Sequence, residues 1–184
     1  MKQIIPEKSS EKVSKFLKKT SLHKRDFAEM IGVTLSYVYN LIDETVPFST
    51  RGTTIERIAT VMEISPDEFG EYRIPQEPIL IDESVEILKD YLKENKLSVV
   101  NFLKTFPRKK RLDIVDILRG ALPLPIDYRE LALIGKTLNM PKEELYKIWE
   151  TRLKQILESA GMNIYSNSAL VNSMFACAKK HIMS

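Results

Sequence analysis

The chain has 184 residues, 43% of them hydrophobic and 29% charged, which is enough apolar material for one domain or two small ones and too much for a disordered chain. A single cysteine, Cys177, excludes an intramolecular disulfide, and with only His23 and His181 beside it a Cys/His metal site lacks ligands. The formal charge of +3 is only weakly basic, so any nucleic-acid reading must come from where the charges sit.

No apolar run is long enough to span a membrane. The opening MKQIIPEKSSEK has neither an apolar h-region nor a cleavage pattern, so a cytoplasmic protein is expected. A first helix is expected from about Glu7 to Lys19, with Val13, Phe16 and Leu17 on one face and Lys8, Lys12, Lys15, Lys18 and Lys19 elsewhere. Thr20 and Ser21 close it, and Leu22 turns inward. Phe27, Ala28 and Ile31 repeat at helical spacing in a second helix from Lys24 to Ile31, and Ala28 is small where another helix must cross. Gly32 ends that run, since glycine accepts a positive φ that a β-carbon penalises. Thr34 is a hydroxyl placed to cap a third helix to about Asp43, whose inner face is Val38, Leu41 and Ile42. The whole is a helix, a tight turn and a second helix.

Val46 to Gly52 has Pro, Gly and hydroxyls at loop-forming density. A fourth helix from Thr53 to Glu63 presents Ile55, Ile58, Ala59 and Met62. Ser65-Pro66-Asp67-Glu68 reads as a capped start, with Pro at the first helical position and Glu three residues past the cap, and opens a short fifth helix burying Phe69 and Tyr72. From residue 74 to 83 two prolines and an extended apolar run suit a linker lying against a neighbouring surface. Asp82 or Ser84 caps the next helix.

The second half repeats the first. Val13, Leu17, Leu22 and Phe27 find Leu88, Leu92, Leu97 and Phe102 at an offset of 75, and beyond Pro107 the offset becomes 76, with Val38, Leu41 and Ile42 on Ile114, Ile117 and Leu118. At the turn the copy degenerates: Gly32-Val33-Thr34 gives way to Phe106-Pro107 and four basic residues, Arg108 to Arg111. Asp113 and Asp116 fall where Tyr37 and Asn40 stand in the first copy, and carboxylates facing phosphates are repelled, so base reading is expected of the first copy alone. Pro141 then opens a long helix with Leu145, Ile148, Trp149, Leu153, Ile156 and Leu157 in a stripe, stopped by Gly161. A last stripe, Leu170, Val171, Met174, Phe175, Ala178 and Ile182, is either core or a dimer seam.

Leu22, Phe27-Ala28, Gly32-Val33-Thr34, Val38, Leu41, Ile58-Ala59 and Ser65-Pro66-Asp67-Glu68-Phe69 together resemble the Cro/C1 (lambda-repressor-like, XRE) helix-turn-helix DNA-binding family over roughly residues 10 to 72. His23 stands where that family usually has Ser or Thr, Lys24 where it has Gln, and the loop from Glu44 to Gly52 is longer than its usual turn. The resemblance implies an all-α protein of two tandem lambda-repressor-like five-helix domains, the second degenerate, plus a C-terminal helix. Its expected boundaries are 7–73 for the DNA-binding domain, 74–83 for the linker, 84–160 for the second domain and 161–184 for the terminal amphipathic helix.

It also implies that the third helix enters the major groove of double-stranded DNA with Leu35, Ser36 and Asn40 toward the bases. Asn40 matches adenine N6 and N7, and Leu35 suits a thymine methyl. Lys24, Arg25, Thr34, Tyr37, Lys18, Lys19 and Arg51 are the expected backbone contacts, with Tyr39 turned to the core. Arg108, Lys109, Lys110 and Arg111 are accessory phosphate contacts. The function so implied is a cytoplasmic, nucleoid-associated transcriptional regulator without cofactor or metal, paired as a homodimer through its C-terminal helices. A module that keeps the fold for protein interaction, antitoxin-like or scaffold, is the alternative. An enzyme is not expected: the six glycines are scattered singly, and Glu143-Glu144 suits a helix start without catalysis.

Overall fold

A computed structural model describes residues 7–48, 50–74, 82–162, 164 and 168–183. The protein is all-α, with ten α-helices and no strand among the described residues. They are α1 (Ser9–Thr20), α2 (Lys24–Ile31), α3 (Leu35–Leu41), α4 (Gly52–Met62), α5 (Glu83–Glu94), α6 (Val99–Lys104), α7 (Arg108–Leu118), α8 (Tyr128–Leu138), α9 (Lys142–Ser159) and α10 (Ser168–Met183). No helix among the described residues is long and apolar enough to cross a membrane.

The expected fifth helix is a single 3-10 turn, Pro66–Glu68. Ser65 does accept from the Asp67 amide, but Phe69 is already extended at φ −95° and ψ 117°, so the turn is not continued. Its side chain is buried and stacks on Phe48 at 5.8 Å, which anchors the segment in place of a helix. Most of the expected linker, residues 75–81, lies outside the described residues. Asp82 caps α5, accepting from the Ser84 amide at 3.0 Å.

The chain divides into two compact units, each discontinuous in sequence: Met1–Pro78 with Ser98–Arg119, and Ile79–Leu97 with Gly120–Ser184. The expected segment 84–160 is therefore cut, with α6 and α7 in the first unit and α5, α8 and α9 in the second. Among the described residues the non-glycine residues with positive φ are Ser21, Lys96, Glu63 and Asn139, two pairs separated by 75 and 76 residues, each just past a helix end. These are the offsets at which the apolar residues recur.

In the first unit Val13, Leu17, Phe27, Met30, Ile31, Val38, Ile55, Ile58 and Phe69 are buried, and α6 and α7 add Val100, Leu103, Val115 and Leu118. α7 lies along α2, and both α6 and α7 touch α4. Gly32 serves two ends at once. Its φ of +71° makes the turn between α2 and α3, and a β-carbon there would come within 2.9 Å of the Leu112 methyls of α7.

A buried ionic network closes the other end of that seam. Arg57 on α4 donates to both oxygens of Asp116 at 2.8 and 2.9 Å, Arg119 Nε donates to Asp116 at 2.7 Å, and Arg119 Nη1 donates to Glu56 at 2.8 Å. Tyr72 Oη donates to the other Glu56 oxygen at 2.8 Å. Burial first, and then this bond to a carboxylate, push the Tyr72 hydroxyl up to about 12. Asp116 was the residue expected at an outward, phosphate-facing position; instead it is buried between two guanidiniums.

The second unit is built on α9, which α5, α8 and α10 all contact. Gly135 on α8 gives Leu145 its close approach, since a β-carbon there would meet the leucine at 2.9 Å. Asp82 is buried, accepting from the Leu124 amide at 3.1 Å with Arg152 Nη1 at 3.7 Å. The last stripe is part buried and part exposed. Val171 and Phe175 are core, with Tyr146 Oη donating to the Phe175 carbonyl at 3.0 Å and Trp149 edge-on to its ring at 6.0 Å. Leu170 and Met174 remain 62% and 56% exposed.

The Asp116 network makes stability pH-dependent. Burial alone would raise the Asp116 carboxyl, but the hydrogen bonds and charges of Arg57 and Arg119 outweigh it and hold the group below its ordinary range. A carboxylate depressed in the folded state adds stability above its unfolded value of about 3.9, and that stability is lost as pH falls through the folded value. Asp116→Asn should cost about 3 kcal/mol at neutral pH, as expected when one partner leaves a buried pair. It should also flatten the acid limb of stability below about pH 4, which urea unfolding across a pH series measures.

Candidate nucleic-acid interface

The α2-turn-α3 segment is fixed from below. Phe27, Ala28 and Ile31 of α2 and Val38 and Leu41 of α3 are buried, and the Val33 amide donates to the Ala28 carbonyl at 2.9 Å to close the turn. Thr34 sits at φ −76°, ψ 156°, and its Oγ1 accepts from the Tyr37 amide at 3.2 Å, capping α3 as the sequence leads one to expect. With the inner face so occupied, the outer face of α3 is free. Leu35 is 40% exposed and Tyr39 53%, and Ser36 and Asn40 are also exposed.

The two tyrosines exchange the places foreseen for them. Tyr37 is half-buried, and its hydroxyl donates to Thr50 Oγ1, tying α3 to the loop before α4 rather than offering itself to a phosphate. Tyr39 points outward, and the Lys24 ammonium lies 4.9 Å from its ring centre. Positions 37 and 39 are two residues apart on a helix and so face different ways. The heptad-like pattern of α3 did not say which of them the Thr50 hydroxyl would claim.

Beside α3 lies an open recess of about 410 Å³ lined by His23, Lys24, Arg25, Asp26, Leu35, Tyr39 and Arg108. It brings together two expected backbone contacts, Lys24 and Arg25, one expected accessory phosphate contact from far along the chain, Arg108, and one expected base contact, Leu35. Lys18 and Lys19 are exposed on the last turn of α1, and Arg51 is exposed just before α4, but none of the three lines this recess.

The four basic residues of α7 are used unequally. Lys109 and Lys110 are exposed, Lys110 lying 4.0 Å from Asp113. Arg111 is 8% exposed, its Nη1 2.9 Å from Asp26 Oδ1 and its Nε donating to the Phe106 carbonyl at 3.2 Å. It is therefore an internal strut and not an accessory phosphate contact, because a guanidinium so buried and paired cannot reach a phosphate without unseating α7. Arg108 stands between these cases, half-exposed, 3.3 Å from Glu29 and 3.6 Å from Asp26. Asp26 and Glu29 are the residues that reading the sequence missed. Their spacing of three on α2 matches that of Arg108 and Arg111 on α7, but nothing in the sequence says that those two helices meet.

Among the described residues no cluster of His, Cys, Asp or Glu is arranged to hold a metal ion. The cap on α3 gives a direct check of the local geometry. Thr34→Ala should lower stability by about 1 kcal/mol while Thr34→Ser keeps it, as measured by thermal unfolding. Ser36→Ala, two residues later and exposed, should leave the midpoint unmoved.

No family model matches this chain, and neither does any curated protein or solved structure.

Proposed function

We propose that the protein is a sequence-specific double-stranded DNA-binding transcriptional regulator of the Cro/C1-like kind, reading the major groove with the outer face of α3. The single observation that carries this reading is the division of α3 into a buried face and an exposed outer face, with Thr34 engaged in the cap and Ser36 and Asn40 left exposed. Asn40 can donate and accept together, which suits adenine N6 and N7, Ser36 serves several bases, and Leu35 suits a thymine methyl. Lys24 and Arg25 flank that face with positive charge, which supports backbone contacts on either side of the groove. A homodimer joined through the exposed half of α10, Leu170 and Met174, would present two copies of α3 and make the target an inverted repeat.

That same apolar face favours a second reading, a module whose business is another protein and whose α3 touches no DNA. Salt separates the two. Counterion release makes DNA affinity fall steeply as salt rises, whereas an apolar protein interface does not respond in that way.

The decisive experiment is selection of bound sequences from a random DNA pool by the purified protein, followed by titration of the selected duplex and its single-base variants. Asn40→Ala should cost about 1–3 kcal/mol and relax the preference at one base position, whereas Lys24→Ala should weaken all sequences alike and lower the salt slope by about one. An Asn40→Ala protein that discriminates among the variants as the parent does removes α3 from the groove.

A further inference from the structure

Three cations, Arg25, Arg108 and Arg111, and two carboxylates, Asp26 and Glu29, meet between α2 and α7, and the way they pair leaves two of the cations, Arg25 and Arg108, loosely held. Arg111 makes a short, buried bond to Asp26, with a second hydrogen bond to its own chain. Arg25 lies 3.7 Å from Glu29, and its side chain is largely exposed. Arg108 approaches both carboxylates, Nε at 3.3 Å from Glu29 Oε2 and Nη2 at 3.6 Å from Asp26 Oδ1. Glu29 Oε2 is buried and accepts no hydrogen bond, so it is compensated by charge alone. Among the residues that line the recess, Lys24, Arg25 and Arg108 set three positive charges against the single negative charge of Asp26.

The guanidinium of Arg108 is thus oriented by two carboxylates without being consumed by them. It has five N–H donors in a fixed fork, its side chain is 52% exposed, and it lines the same recess as Lys24, Arg25, Leu35 and Tyr39. A phosphate diester is the partner such an arrangement suits: a compact anion that an arginine fork can hold through two parallel bonds and a lysine can neutralise as a point charge.

We infer that Arg108 is a DNA-backbone contact supplied in cis by the later part of the chain, so that the phosphates beside α3 are held by a composite clamp of Lys24, Arg25 and Arg108. Arg111 is the positioning residue: bonded to Asp26, it fixes the first turn of α7 against α2 and thereby aims Arg108. Lys109 and Lys110 lie outside the clamp. The degenerate turn of the second half, which lost the glycine and the cap a groove-reading helix needs, contributes instead to the interface of the first half. This rests on the reading of α3 as the groove-facing helix.

The test uses the full chain, the selected duplex and a scrambled duplex of equal length, and follows the logarithm of affinity against the logarithm of salt concentration. Arg108→Gln should lower affinity by the same factor on both duplexes and reduce the salt slope by about 0.9, the value of one phosphate contact. Its thermal midpoint should fall only modestly, because Arg111 Nη1 at 4.0 Å and Arg25 at 3.7 Å remain beside Glu29. Lys104→Gln, which removes an exposed charge on α6 away from the recess, should leave the slope where it was. If the parent binds with a steep salt slope and Arg108→Gln matches it, the clamp is wrong while the α3 reading stands. An equal drop in slope for Lys104→Gln also overturns it, because the effect then belongs to net charge. A parent protein whose binding does not depend on salt overturns the clamp and the α3 reading together.

Discussion

The first unit depends on the seam where α7 lies along α2. At one end Arg111 is locked to Asp26, in the middle Leu112 sits against Gly32, and at the other end Asp116 and Arg119 lock onto Arg57 and Glu56 of α4. A buried charge is expensive unless paired, so each of these ion pairs holds only while both helices are in register. Apolar burial drives the association, and the charges choose the register: Val115 and Leu118 supply area, and the three arginines tolerate no slip. Because Gly32 is at once the turn between α2 and α3 and the floor under Leu112, the geometry of α3 and the docking of α7 share a single residue.

That sharing explains why the basic run of α7 cannot be taken as four equivalent charges. Arg111 is spent on structure, Arg108 is oriented at the rim of the recess, and Lys109 and Lys110 face solvent. A salt-dependent interaction with nucleic acid counts only the cations that can reach a phosphate. The chain's small net charge therefore says little, and the local surplus beside α3 says more.

Much of the local structure could be read before any coordinates. The spacing of Phe27, Ala28 and Ile31, the glycine at 32 and the hydroxyl at 34 dictate two helices and the turn between them, because each acts through its own backbone or its nearest turn. A cap on α5 at Asp82 or Ser84, of which the structure uses Asp82, and Gly161 as a stop are legible for the same reason. What the sequence hid was long-range pairing. Asp116 reads as an outward carboxylate on an amphipathic helix, and only the arrival of Arg57 from 59 residues away makes its burial affordable. Ser65-Pro66-Asp67-Glu68 carries every mark of a helix start, yet the demand of Phe69 for a place in the core ends it after one turn. An offset of 75 and then 76 residues is legible in the apolar positions, and four residues of positive φ past helix ends are separated by the same numbers. That α6 and α7 belong to the first unit is not legible, since apolar spacing says that a face is buried and not against what.

Native-state hydrogen exchange is the most direct measure of the α2–α7 seam, because amides that open in one cooperative step share one opening free energy. The slowest amides of α7 and α6 should exchange with the free energy of α2 and α4, and Arg111→Gln should shift that whole group downward while leaving α5, α8 and α9 unchanged. If the α6 and α7 amides instead open together with α5, α8 and α9, residues 98–119 belong to a self-contained second copy and the composite first unit does not exist.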